Sequence, residues 1–323
     1  MKFSNKMNIQ MYIIIIMVLM STTTNNKVFM WMLIEVATFS FISMMIMSKN
    51  LSSSILYFII SFISSTVMFI GLITYPSMNL SILIIIGVMI KVAMFPFNYW
   101  FNLISKSVNF MNLSILMTLM KFVPMNMMHM MTEMNQFTLM MIIASMILSP
   151  IMSLNKFSVK LILSYSSIHQ TSLMMMIMFM NFYMFIMYFT MYSLVTITLL
   201  SILNNEKNML KYEFNMNKKT KMIYFIMMIS YSYFPPMSTF IMKWSIVENM
   251  MMMNSMFMLI SIIVMISSFI MIWSYLNFMN NNIYTQTNFN KMFMIKKTPN
   301  MKNPLIMIHM MTLMSFIYIY INF

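Results

Sequence analysis

The chain has 323 residues, of which 61% are hydrophobic and only 7% charged, and its formal net charge is +14 at pH 7. A soluble domain of this length would carry many more charged residues on its surface, so the composition excludes a soluble protein. The absence of cysteine excludes disulfides and thiolate-ligated iron–sulfur clusters. The lysines form no compact basic run, so we expect no nucleic-acid partner.

Hydrophobic segments follow one another along the whole chain, and most are close to the twenty residues that cross a bilayer as a helix. The sequence therefore predicts an all-α polytopic membrane protein with about eleven transmembrane helices, folded as a single integral-membrane domain over residues 1–323. The segments are Asn8–Thr23, Val28–Met47, Ser54–Thr74, Asn79–Phe97, Met111–Met131, Phe137–Leu154, Val159–Asn181, Tyr183–Leu203, Met222–Met253, Ser255–Leu276 and Pro304–Ile321.

The lysines outside these segments or at their ends indicate the orientation of the chain. When the sides are alternated after each segment, fifteen lysines fall on the side of the N-terminus and Lys27 alone falls on the other. By the positive-inside rule the N-terminus faces inside, which is the matrix for a mitochondrial protein. The loops Asn204–Thr220 and Asn277–Asn303 lie on that side, and we interpret both as surfaces that face water or lipid headgroups.

Four charged residues lie deep inside the apolar segments, away from the segment ends: Glu35, Lys91, Lys121 and Lys243. A charge at membrane depth costs roughly 2.5–3.5 kcal/mol on insertion scales, so such residues indicate functional sites. Removal from water disfavours an ammonium group, and a nearby carboxylate favours it. Glu35 is the expected partner of a buried lysine, and the set predicts a chain of groups that load and release protons. The alternative is a set of static ion pairs that fix helix packing.

Prolines interrupt two of the charged segments. Lys91 precedes Pro96, and Lys243 follows the pair Pro235–Pro236. Gly87, one turn before Lys91, is expected to leave room beside its ammonium. Two five-helix repeats, about 8–131 and 137–276, would make these segments equivalent, and an odd number of helices per repeat requires inversion. Paired discontinuous helices of this kind mark the transport site of many secondary transporters.

His169 lies within the most hydrophilic stretch of any predicted helix, Ser164–Ser172. A hydroxyl-rich face beside an imidazole could carry a chain of water molecules. The hydroxyls could instead bond to the backbone of their own helix.

Several motifs together resemble the subunit 2 family of the mitochondrial proton-pumping NADH:ubiquinone oxidoreductase, respiratory complex I, in its short animal form. The resemblance covers nearly the whole chain and rests on Trp31–Glu35, Lys91–Phe101, Leu119–Met125, Leu154–Lys156, Ser164–Ile168, Phe234–Phe240 and Lys243–Trp244. The chain departs from the family at Asn98, where histidine is usual, and over Asn102–Lys106, where an acidic residue is usual.

The resemblance implies an antiporter-like subunit of the mitochondrial inner membrane, with other membrane subunits of the complex and lipids as partners. It assigns Glu35 and Lys91 to a charge pair, Lys121 to the connecting lysine and Lys243 to the terminal one, with His169 as a possible relay residue. It implies no redox centre in this chain, and NADH, FMN, iron–sulfur clusters and ubiquinone in other subunits.

Three other classes of protein are alternatives to this interpretation. A haem-bearing subunit needs paired histidines on facing helices, and the three histidines lie in different segments. A free-standing cation/proton antiporter has the same fold and the same charges, so it remains the main alternative. The third alternative is a structural scaffold, in which neutralising the buried charges would leave proton pumping unaffected.

Overall fold

A computed structural model describes residues 2–78, 81–131, 135–205, 226–232, 237–253 and 255–287, and every regular element in these ranges is a helix. The chain divides into two compact units. One comprises Met1–Ser149 with Leu163–Phe182, and the other comprises Pro150–Ile162 with Tyr183–Phe323. The prediction of an all-helical membrane fold is confirmed in the described part of the chain.

The first unit is built around α1–α7. In chain order these helices are α1 (Lys2–Thr23), α2 (Lys27–Met47), α3 (Leu51–Met78), α4 (Ser81–Val92), α5 (Tyr99–Ser107), α6 (Phe110–Met117) and α7 (Leu119–Met131). Helix α3 packs along α4 and α1 along α2, while α7 contacts α1, α2 and α4. This arrangement brings α2, α4 and α7, which carry three of the four core charges, into one packed group.

The rest of the described chain continues as long helices. They are α8 (Gln136–Ser153), α9 (Val159–Met180), α10 (Phe182–Asn205), α11 (Ser238–Met252) and α12 (Ser255–Thr287), with a further helical stretch over 226–231. Within the second unit, α11 packs against α12. The hydroxyl of Thr239 donates to the carbonyl of Ser230 across 2.8 Å, which ties the first turn of α11 to the stretch before it.

Two helices end on left-handed residues that are not glycine. Lys49 after α2 and Ala93 after α4 both have φ of 63°. In each case the next amide reaches back over the last turn, as from Met94 N–H to the carbonyl of Met89 at 3.0 Å. This is the usual way in which a left-handed residue closes a helix. The position normally taken by glycine is filled by other residues in a chain that has only two glycines.

Both glycines lie where α3 and α4 approach each other. A Cβ on Gly71 would stand 2.7 Å from Cγ1 of Ile84, and a Cβ on Gly87 would stand 2.9 Å from the carbonyl oxygen of Ser64 and against the side chain of Met68. Gly87 therefore faces α3, and the prediction that it leaves room beside the Lys91 ammonium is wrong. Its role is to let α4 pack closely on α3.

The structure corrects three other predicted boundaries. The segment Met111–Met131 is two helices with a break at Thr118. The Thr118 hydroxyl donates to the Ser114 carbonyl of the preceding helix across 2.7 Å, and Pro124 lies inside α7. Helix α4 ends at Val92, before Pro96, and the unpredicted helix α5 follows. Helix α12 continues through Thr287, so residues 277–287 of the predicted loop Asn277–Asn303 are helical. Asn, Tyr, Thr and Gln extend that helix past its apolar part.

Five of the described helices are long and apolar enough to cross a membrane: Lys27–Met47, Leu51–Thr74, Gln136–Ser153, Phe182–Asn204 and Ser255–Phe278. Met7–Thr23 and Ile82–Val92 are shorter apolar helices. The eleven-helix count and the inverted repeats stay predictions. The final helix Pro304–Ile321, most of the Asn204–Thr220 loop and the pair Pro235–Pro236 lie outside the described residues.

Candidate proton-transfer site

Glu35 of α2 and Lys91 of α4 form an ion pair within the first unit. The Lys91 Nζ donates to Glu35 Oε1 at 2.8 Å, and the two side chains are 5% and 19% exposed. The predicted partnership of these residues is therefore present in the structure. A paired and hydrogen-bonded charge is the form in which a buried ion is tolerated.

The end of α4 positions the lysine of this pair. Lys91 lies in the last turn of α4, where the negative end of the helix dipole favours a cation. The indole of Trp100 in α5 donates to the carbonyl of Ile90, next to Lys91, at 3.1 Å. The Tyr57 ring packs between the rings of Phe41 and Trp100, with centroids 5.2 and 5.9 Å away. Trp100 therefore contacts the carboxyl-terminal end of α4, and its own ring packs against Tyr57 of α3, which in turn packs against Phe41 of α2.

Lys121 lies in the first turn of α7 and is only 2% exposed. Its Nζ donates to the hydroxyl of Ser167 in α9 at 3.3 Å and lies 4.3 Å from the centroid of the Phe101 ring. The first turn of a helix is the positive end of its dipole, which is unfavourable for a cation. Lys121 is therefore solvated by one hydroxyl and one aromatic face, whereas Lys91 has a carboxylate.

The hydroxyl-rich stretch of α9 is buried and serves two purposes. Ser166, Thr171 and Ser172 donate to carbonyls of their own helix at 2.7–2.9 Å, which supports the alternative left open by the sequence. Ser164 instead donates to Oδ1 of Asn102 in α5 at 2.8 Å, and Ser167 accepts from Lys121. The stretch therefore also contacts α5 and α7.

His169 and Lys243 are both buried. His169 is fully buried in α9, and Lys243 in α11 is 3% exposed. Within α11, Met242, Ile246 and Val247 are buried as well, while Trp244 is 53% exposed. Lys243 therefore belongs to the inward face of its helix, as expected for a charge at membrane depth.

Four residues near the charges of the first unit were not predicted from the sequence, and they lie on α3, α5 or α9. Tyr57, Phe101, Asn102 and Ser167 contact the predicted charges or the residues that hold them. Phe101 and Ser167 fall inside motifs that carried the resemblance, and Asn102 falls at a departure from it. Their individual roles had no signal in sequence, because they depend on which helices are neighbours.

Comparison with known proteins identifies the family. The family model described as "NADH:quinone oxidoreductase/Mrp antiporter, TM" matches residues 72–271. NADH-ubiquinone oxidoreductase chain 2 of Anopheles gambiae is 30% identical over 278 residues, which cover 78% of this chain and 79% of that protein. The chain 2 protein of Apis mellifera ligustica is 29% identical over 236 residues, covering 70% and 71%.

Solved structures share the fold at low sequence identity. A chain of respiratory complex I from Thermus thermophilus aligns with a TM-score of 0.75 and 13% identity, covering 97% of this chain and 76% of that one. A chain of the Mrp complex from Dietzia sp. aligns with a TM-score of 0.68 and 14% identity, covering 84% and 57%. Taken with the sequence matches, this fold shows that the chain belongs to the NADH-ubiquinone oxidoreductase chain 2 family.

Proposed function

We propose that this chain is the proton-translocating membrane subunit of mitochondrial complex I and thereby part of a proton-pumping NADH:ubiquinone reductase. The observation that carries the proposal is the Glu35–Lys91 ion pair, at 2.8 Å, between two apolar helices of a chain of this family. The protein is a multi-pass component of the mitochondrial inner membrane. Its redox chemistry takes place in other subunits, which bind NADH, FMN, the iron–sulfur clusters and ubiquinone.

The proposed mechanism is a cycle of loading and release along buried groups. When the Glu35–Lys91 pair is closed, the carboxylate holds the ammonium in its charged form; when it opens, the ammonium loses that support and can release its proton. Lys121, which contacts the Ser167 hydroxyl and the Phe101 ring, is the next acceptor. His169, water molecules and Lys243 complete the relay in this proposal.

The finer architecture belongs to the same proposal. The chain has eleven transmembrane helices, with two inverted five-helix repeats and one further helix. Its N-terminus faces the matrix. Its outer surface contacts lipids and neighbouring membrane subunits. The distribution of lysines supports this orientation, with fifteen on one side and one on the other.

The direct test replaces either member of the pair in the assembled complex. Glu35→Gln and Lys91→Ala should lower ubiquinone-linked turnover and proton pumping in sealed vesicles, while electron transfer from NADH to an artificial acceptor stays near normal. Lys106→Arg, a change at an exposed lysine, is the control. Unchanged pumping in the two pair variants would remove the pair from the mechanism and favour a packing role.

The second candidate function is a stand-alone cation/proton antiporter. It is favoured by the shared fold of the Mrp chain and by the description of the matching family, which includes Mrp antiporters. Separation of detergent-solubilised membranes on a native gel distinguishes the two. Co-migration of this chain with NADH dehydrogenase activity supports complex I, and migration apart from it supports the antiporter.

A further inference from the structure

The short helix α5 contacts three other helices through three consecutive residues. Trp100 donates to the Ile90 carbonyl of α4, Phe101 places its ring 4.3 Å from the Lys121 Nζ of α7, and Asn102 accepts from Ser164 of α9. Successive residues of a helix point about 100° apart, so three in a row reach three different neighbours. Helix α5 therefore links the end of α4 that carries Lys91 to the surroundings of Lys121.

Three hydrogen bonds link Lys121 to Ser167, Ser167 to Ser164, and Ser164 to Asn102. Lys121 Nζ donates to Ser167 Oγ at 3.3 Å, Ser167 Oγ donates to the Ser164 carbonyl at 2.8 Å, and Ser164 Oγ donates to Asn102 Oδ1 at 2.8 Å. Because the Ser167 hydroxyl proton is already donated to its own helix, its lone pairs remain available to the lysine. Ser164 and Ser167 are three residues apart and share one face of α9.

Asn102 lies where it can hold the Ser164 and Ser167 face of α9 in a fixed rotation. It is 8% exposed and lies next to Phe101, so one turn of α5 supplies both the aromatic face on Lys121 and the acceptor for α9. Loss of the Asn102–Ser164 hydrogen bond would remove a side-chain contact that ties the hydroxyl face of α9 to α5. Rotation of α9 by even a small angle would then move Ser167 away from the Lys121 amino group.

We propose that Asn102 is the positioning residue for the Lys121 amino group. By accepting from Ser164, it sets the rotation of α9 that presents the Ser167 hydroxyl to Lys121, opposite the Phe101 ring. This inference rests on the proposed function in one respect, that Lys121 carries protons. It adds a residue that the sequence comparison treated only as a departure from the family, and it gives α5 a role in joining two of the buried lysines.

Four variants of the complete complex test the proposal. Asn102→Leu removes the acceptor while keeping the number and branching of the side-chain heavy atoms, Asn102→Asp keeps an acceptor oxygen at the same position, and Ser167→Ala removes the hydroxyl that contacts Lys121. Asn98→Leu is the matched control, because Asn98 is 7% exposed, precedes the first residue of α5 and makes no side-chain capping bond there. The readout is the ratio of each variant's proton-pumping rate, driven by NADH and ubiquinone, to the rate of the unmodified complex, in vesicles that contain equal amounts of assembled complex.

Asn102→Leu should lower this ratio roughly threefold to tenfold, the change that corresponds to one lost hydrogen bond. Asn102→Asp should restore most of it, and Asn98→Leu should stay near the original ratio. Asn102→Leu combined with Ser167→Ala should be no worse than the poorer single variant, because both changes break the same path. If Asn102→Leu does not assemble, Ser164→Ala removes the donor of the same hydrogen bond and takes its place.

Equal ratios for Asn102→Leu and Asn98→Leu, or multiplicative losses in the double variant, would overturn the proposal. Lys121→Ala separates this failure from failure of the proposed function. If Lys121→Ala pumps normally, Lys121 is not in the proton path at all. If Lys121→Ala pumps poorly while Asn102→Leu pumps normally, the path stands and only the positioning role of Asn102 is lost.

Discussion

Lys91 donates to Glu35 across 2.8 Å, although the two residues are 56 positions apart in sequence. The pair joins α2 to the last turn of α4, where the end of the helix itself favours the ammonium. An ion pair in this position can be held closed by packing or opened by a small movement of α4. Substitution distinguishes a pair that works in proton transfer from one that only holds helices together.

The first prediction uses the pair as a double variant. Lys91→Met alone leaves a buried carboxylate without its cation, and loss of one partner of a buried pair costs about 3–5 kcal/mol. Glu35→Gln with Lys91→Met removes both charges, so the double variant should assemble in larger amounts than Lys91→Met. Pumping should remain low in both. Recovery of pumping together with assembly would show that the pair serves only in packing. Native gels measure assembly, and vesicle acidification measures pumping.

The second prediction concerns Gly87, whose added Cβ would stand 2.9 Å from the Ser64 carbonyl and against Met68. Gly87→Ala should separate α3 from α4 and destabilise the protein by about 1–3 kcal/mol, as overpacking usually does. Thermal inactivation of the complex in membranes measures the loss. Ile82→Ala, at a 47% exposed position of the same helix, is the control. Met68→Ala should recover only part of the stability, because the backbone contact with Ser64 stays.

The third prediction concerns Lys243, which is proposed to end the relay. A lysine whose proton comes and goes should not tolerate arginine, since the guanidinium stays protonated with a pKa above roughly 12. Lys243→Arg should therefore assemble yet pump poorly, while Lys106→Arg at an exposed position pumps normally. Near-normal pumping by an assembled Lys243→Arg complex would refute the relay role and leave Lys243 as a structural charge.

The fourth prediction concerns the orientation of the chain. The lysine-rich stretch Glu206–Lys219, outside the described residues, should face the matrix and be protected from trypsin added to mitoplasts. Opening the membrane should expose it to cleavage. Lys27 is the only lysine assigned to the other side, so early cleavage there would agree with the same orientation. Cleavage of the Glu206–Lys219 stretch in intact mitoplasts contradicts the helix count or the direction of the chain.

The sequence by itself determined the class of protein and the residues with an unusual place in it. Low charge and recurrent apolar segments require a membrane protein, because a soluble surface could not be built from them. Glu35, Lys91, Lys121 and Lys243 stand out because each is costly at membrane depth unless it is used or paired. These properties depend on composition and on local sequence, so no knowledge of helix neighbours was needed.

The tertiary structure decided which groups meet. The contact of Lys121 with Phe101 and Ser167, and the bond between Asn102 and Ser164, join helices that are far apart in sequence. The structure also decided two helix boundaries, because backbone geometry there outweighs the local sequence pattern. The segment Met111–Met131 is broken at Thr118, and the left-handed Ala93 ends α4 before Pro96 is reached. Apolar segments look alike from outside, so their pairing is set by side-chain fit and by the few polar groups that must be satisfied within the bundle.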